Sequence, residues 1–330
     1  MTARSTDVDL SCRRMSVTCT VLDAESARTA RRQLEERADA LTAGHRARRA
    51  RHEKHPVEDF LFTYCPFSPA RMRRWHPGAG IAYDAAADPQ PGPDDPPVGD
   101  VHPAGRSWYA DSPAHDGTGR VLRTADVDRY REERTESLGF ISSLLRRSSM
   151  QNRTPRFGCF GLHEWAMVHR LGPEDRRHED LPLRLGQAET DAVVDRERLV
   201  CTHVDAFRFF TPAARDRNAT SPTRDAQLEQ DNPACLHVGM DLYKWAMKLV
   251  PLVPSDLVLD CFEHARETRV LDMEASPYDV RPLGYGVVPI ETPAGKAEYA
   301  RRQRALAARA EELRTQLLDW VEPLASPVDA

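Results

Sequence analysis

Apolar positions recur at three- to four-residue spacing through residues 24 to 54, where Ala27, Ala30, Leu34, Ala38 and Leu41 fall on one stripe of an Ala- and Arg-rich, proline-free segment. That period predicts the first long helix, with Gly44 as a kink. Pro56, at a tolerated first-turn position, predicts a short second helix through HPVEDFLFTY. Residues 124 to 150 predict another, with Thr124 as N-cap and Asp126 and Asp128 in its first turn. A helix is expected from about Leu162. One opened by Pro233 carries ACLHVGMDLYKWAMKLV and stops at Pro251, one capped by Ser255 carries SDLVLDCFEHARETRVLDM, and a last amphipathic one spans Lys296 to Val321. LVCTHVDAFRFF, 199 to 210, is dense in β-branched and aromatic residues and predicts a strand. Residues 172 to 199 and 211 to 233 read as polar loops.

This pattern predicts a mainly α, single-domain helical fold with a small β element and no evident helix-hairpin-helix. Residues 1 to 23 read as a flexible N-terminal extension and 24 to 330 as the domain. Within it, residues 85 to 119 are too rich in Pro, Gly and Asp to pack regularly and are expected to form a partly disordered excursion anchored by Trp108 and Tyr109. No apolar run approaches the roughly 20 residues of a membrane span, so no membrane partner is expected. The first residues lack the apolar core of a secretory signal. Seven widely spaced cysteines without a C-x-x-C pair predict reduced thiols and a cytoplasmic location.

Charge changes the picture locally. The chain carries a net charge of -5, which disfavours a polyanionic partner, yet residues 26 to 54 sum to +5 and the remainder to -10. The first helix is therefore either a phosphate-binding face or a solvated one.

Candidate chemistry concentrates in three segments. Cys159 precedes His163, Cys201 precedes His203, and Cys235 precedes His237, each with a carboxylate nearby in Glu164, Asp205 or Asp241. Imidazole with carboxylate is the usual equipment for acid/base work and for first-row metals. His237 and Asp241, four apart on a helix, share one face, with Lys244 and Lys248 continuing it. His203 and Asp205, two apart on the expected strand, point to one side. His163 and Glu164, adjacent on a helix, diverge by about 100°. LHEWAMVHR is not a zincin motif, because Met167 stands where the second histidine must be and His169 is rotated away. Trp165, Trp245, Phe209 and Arg208 beside these pairs suit a pocket for a planar heterocycle, and equally suit a core.

HPVEDFLFTYCPFSPARMRRWHPG (55 to 78), FGCFGLHEWAMVHR (157 to 170), CTHVDAFRFFTPAA (201 to 214), CLHVGMDLYKWAMKLVPLVPSDLVLDCFEHAR (235 to 266) and LDMEASPYD (271 to 279) together cover nearly half of the chain. In these stretches it resembles an actinobacterial family labelled 3-methyladenine DNA glycosylase. The resemblance implies hydrolysis of the N-glycosidic bond of an alkylated purine in DNA, without a cofactor. It implies Glu164, Asp205 or Asp241 as the catalytic carboxylate, and Trp165, Phe209, Trp245 and Arg208 around the base. Arg71, Arg73 and Arg74, with the first helix, would meet the phosphates. A second reading is a metal-dependent enzyme acting on a small molecule, with Fe or Zn held by His163, His203 and His237 plus a carboxylate if these converge. A third is a non-catalytic binding protein with structural histidines.

Overall fold

The computed structural model describes residues 20–88, 108–176 and 181–324. It is mainly α with a small mixed sheet. Of the flexible extension expected over residues 1 to 23, residues 20 to 22 form a strand and Asp23 caps the first helix; the rest of it and the centre of the Pro-rich segment lie outside the described residues.

The sheet has the order β1-β2-β4-β3, with β1 (Thr20–Leu22) parallel to β2 (Ile81–Asp84), and β4 (Val121–Ala125) antiparallel to both β2 and β3 (Tyr109–Pro113). β3 lies inside the segment expected to be irregular, and its register, Tyr109 opposite Ala125, is fixed by Trp108. The Trp108 carbonyl accepts from the Asp126 amide, its Nε1 donates to Glu133, and its ring meets Tyr130 edge-on.

α1 (Ala24–Ala50) begins where the Asp23 side chain accepts from the Ser26 amide and ends with Arg48 and Arg49 in its last turn, both favourable to the helix dipole. Two very short helices follow, α2 (Phe60–Tyr64) and α3 (Pro69–Met72). α4 (Val127–Arg147) starts two residues later than expected, because Thr124 is taken up in β4 opposite Ala110 and Asp126 caps instead. α5 (Leu162–Ala166) is a single turn or so.

Three expectations are corrected downstream. Residues 172 to 199 are not all loop: α6 (Gln187–Arg196) buries Thr190, Val193 and Val194 on one side. The strand expected at 199 to 210 does not form. The Asn218 side chain satisfies both the amide and the carbonyl of Cys201, so that backbone needs no neighbouring strand, and α7 (Val204–Phe207) starts directly after His203. The polar stretch 211 to 233 holds α8 (Pro212–Arg215), capped by Thr211, and α9 (Gln227–Gln230).

The core is built by α10 (Leu236–Leu249), α11 (Ser255–Glu274) and α12 (Pro293–Val321), with α1 and α4 against them. α10 is buried on nearly every side, so any polar residue it carries is placed inside the protein. Phe262 of α11 is 1 % exposed and packs between Tyr243 and Phe62. Phe262→Ala is expected to lower the unfolding free energy by about 3–5 kcal/mol in urea titration; a loss below about 1 kcal/mol would contradict this view of the core.

Candidate functional site

The segment FGCFG ends in a turn that aims α5 inward. Gly161 has φ +73°, and a Cβ there would lie 3.3 Å from both Ala275 and Tyr299 side-chain carbons. Trp165 is fully buried, with Nε1 donating to the Ala275 carbonyl, and so anchors α5 to the end of α11. His163 and Glu164 then diverge, as their adjacency requires, but both reach α11.

There they enter a buried ionic group. His163 Nε2 lies 2.7 Å from Asp272 Oδ1, while Arg269 Nη1 donates to Asp272 Oδ2 at 2.5 Å and to Glu164 Oε1 at 2.8 Å. The four are 5 % exposed or less. Burial alone disfavours a charged His163, but the Asp272 carboxylate outweighs it and raises its pKa well above that of a free histidine. Two carboxylates thus face two cations, which is the condition for leaving such groups out of water.

A second group forms around Asp241, 1 % exposed on α10. Its Oδ1 accepts from the Tyr64 hydroxyl at 2.8 Å, and its Oδ2 accepts from Lys244 Nζ at 2.5 Å and lies 3.4 Å from His203 Nε2. Burial raises the pKa of Asp241, yet Lys244 and His203 more than offset it, and the carboxylate stays ionised. Asp205 stands alongside, its Oδ1 accepting from Arg224 at 2.7 Å and its Oδ2 3.6 Å from Lys244.

His237 joins the two groups. Its ring centroid is 4.7 Å from that of His163 and 5.3 Å from that of His203. Burial, reinforced by the charge on His163, pushes its pKa well below the ordinary value, so it is neutral. His237 Nδ1 and His203 Nδ1 are both buried without a hydrogen-bond partner.

The polar atoms sort into two sets able to hold a cation: His163, His237 and Asp272, and His203, Asp205 and Asp241. Within each, one ligand atom per residue lies within 4.8 Å of the others. Ligands about 2 Å from one ion lie up to about 4 Å apart, so either set closes on a cation with small side-chain shifts. The three histidines are therefore gathered around His237 but divided between two sets, and Glu164 is committed to Arg269. Of the second set, Asp205 lines a cavity of about 430 Å³, together with Tyr64, Lys244 and Trp245, while His203 and Asp241 lie behind that lining.

Other candidate residues lie elsewhere. Trp165 is sealed in the core, whereas Trp245 and Arg208 line the cavity, and Phe209 is 38 % exposed beneath Arg208. Arg71 stacks on Phe67 and donates to the Met247 carbonyl. Arg73 pairs with Glu35 and Asp39, and the Arg74 carbonyl accepts from Ser255. On α1, Arg31, Arg37 and Arg48 are paired with Asp88, Asp260 and Asp59, so much of its excess charge is met within the chain. His169 turns toward Asp195. Burial raises the pKa of Cys201 and of Cys235, which keeps both as neutral thiols.

Asp272, Arg269, Tyr64 and Arg224 were not singled out from the sequence. Asp272 did leave a signal: it continues the buried stripe Val258, Cys261, Ala265, Thr268, an acid where the helical period calls for an apolar residue. Compared with protein-family models, with curated proteins and with solved structures, the chain matches none. Arg269→Met, which leaves Glu164 and Asp272 buried with one cation fewer, is expected to cost about 3–5 kcal/mol of stability by chemical denaturation. A change under about 1 kcal/mol would contradict the pairing described.

Proposed function

We propose that the protein is a metal-dependent enzyme acting on a small molecule bound in the cavity beside Asp205. The observation that carries this reading is the set His203, Asp205 and Asp241, buried and within 4.8 Å of one another, of which Asp205 lines that cavity. The orphaned Nδ1 atoms of His203 and His237 support it, since a buried imidazole nitrogen without a partner costs about 1–3 kcal/mol that an ion or an ion's ligand shell can offset. Mixed imidazole and carboxylate donors suit Zn or Fe. A cation held there supplies Lewis-acid polarisation of a substrate oxygen.

The chain's own groups fill the remaining roles. Lys244, between Asp241 and Asp205, holds the place of a cation and is released from Asp241 when one binds. Tyr64, whose pKa burial and Asp241 raise well above that of free tyrosine, keeps its proton and presents a hydroxyl fixed by Asp241 Oδ1. The His163, His237 and Asp272 set lies behind, and its Arg269 and His163 charges are matched by carboxylates, so it serves as a second cation set or as the electrostatic support of the first.

The resemblance to the glycosylase-labelled family supplies a second reading, favoured by Trp245 and Tyr64 standing beside Asp205 in one cavity. There the aromatic rings hold a base and the Asp205 or Asp241 side chain stabilises the oxocarbenium-like sugar.

Elemental analysis of purified protein is expected to find Zn or Fe near one equivalent or more, and His203→Ala or Asp241→Asn to weaken metal affinity at least tenfold. Protein that never takes up metal and keeps its activity in chelator would overturn the metal reading. Release of alkylated base from methylated duplex DNA, lost in Asp241→Asn and indifferent to chelator, would establish the glycosidic one instead.

A further inference from the structure

The cavity carries more positive charge than its carboxylates account for. Arg208, Arg224, Lys244 and Lys248 line it, and Asp205 is the one acidic residue among its lining. That single carboxylate serves Arg224 at 2.7 Å, Arg208 at 3.6 Å and Lys244 at 3.6 Å. Asp241, behind the lining, takes Lys244 at 2.5 Å. Lys248 has no ion pair among the described residues; its ammonium rests 5.2 Å from the centre of the Trp245 ring. Burial first, and then the neighbouring charge of Lys244, depress its pKa. In a chain of net charge -5, four cations converging on one concavity are a local reversal that attracts anions.

The opposite quality of the cavity is aromatic. Trp245 and Phe140 meet at 71° with centroids 6.0 Å apart, and Tyr64 stands on the Asp205 side. A volume of about 430 Å³ is of the size that encloses a small ligand rather than a polymer.

We propose that this cavity binds a small planar molecule carrying a phosphate group, with the ring against Trp245 and Phe140 and the phosphate among Arg224, Lys244 and Lys248. A phosphate monoester is close to a dianion at neutral pH and offers three acceptor oxygens, which matches several convergent cations better than a single carboxylate does. Guanidinium groups add the planar fork that suits phosphate oxygens. The inference deepens the reading of this cavity as the substrate site and rests on it.

Isothermal calorimetry with phenyl phosphate, inorganic phosphate and phenol tests the proposal, on chelator-treated and on zinc-loaded protein. Phenyl phosphate is expected to bind at least tenfold more tightly than either fragment in one or both forms. Lys248→Ala should weaken it about tenfold, the loss of one charge-assisted contact, and Lys248→Glu should abolish it. Arg309→Ala, on the outer side of α12, serves as a control that leaves binding unchanged. Absence of saturable binding in both forms, equal binding of phenol, or unchanged binding in both Lys248 variants would overturn the proposal. Metal content is read separately on the same samples. Zinc uptake without phenyl phosphate binding defeats the ligand assignment alone, and tight phenyl phosphate binding by protein that takes up no metal defeats the metal reading alone.

Discussion

A carboxylate buried at the middle of α10 has to be paired, and the pairing of Asp241 organises the region around it. Its partners come from separate stretches of chain: Tyr64 from the end of α2, His203 from the residue preceding α7, and Lys244 from the next turn of α10. An unpaired ion in such a place costs several kcal/mol, so the short helices α2 and α7, which bury little apolar surface of their own, are held where the charge needs them. Asp272 repeats the arrangement on α11, drawing in His163 of α5 directly and Glu164 through Arg269.

The two groups leave neighbouring histidines in opposite states. Asp272 keeps His163 charged, and that charge, added to burial, keeps His237 neutral at a ring separation of 4.7 Å. Environments that drive adjacent titratable groups apart are how a protein prepares distinct roles from one residue type. The neutral imidazole, with Nδ1 unpartnered, is a ligand in waiting; the charged one belongs to an ion pair. On the Asp241 side the cavity brings this interior chemistry to within reach of solvent, through Asp205 and Lys244.

Much of the helical frame was legible because α10, α11 and α12 carry long, continuous 3.6-residue patterns bounded by Pro, Ser or Thr. The four strands were not, since segments of three to five residues such as TVL and YADSP hold too little alternation to register, and their stability comes from partners distant in sequence. LVCTHVDAFRFF misled for the complementary reason: its composition favours a strand, but the Asn218 side chain takes the hydrogen bonds of Cys201 that a strand would offer. At the site, helical spacing alone put His237 and Asp241 on one face. Which of them meets His163 or His203, and that Glu164 is spent on Arg269, are facts of tertiary packing with no local signature. Asp272 lay in between, visible only as a charge out of place on an apolar stripe.

The central claim is that the Asp241 group is poised to exchange the Lys244 ammonium for a metal ion. Anomalous diffraction from crystals grown with zinc measures this directly. A peak is expected about 2 Å from a nitrogen of His203 and from carboxylate oxygens of Asp205 and Asp241, with Lys244 withdrawn from Asp241. Crystals that show no anomalous peak at the His203, Asp205 and Asp241 set, with Lys244 still bound to Asp241, would contradict it.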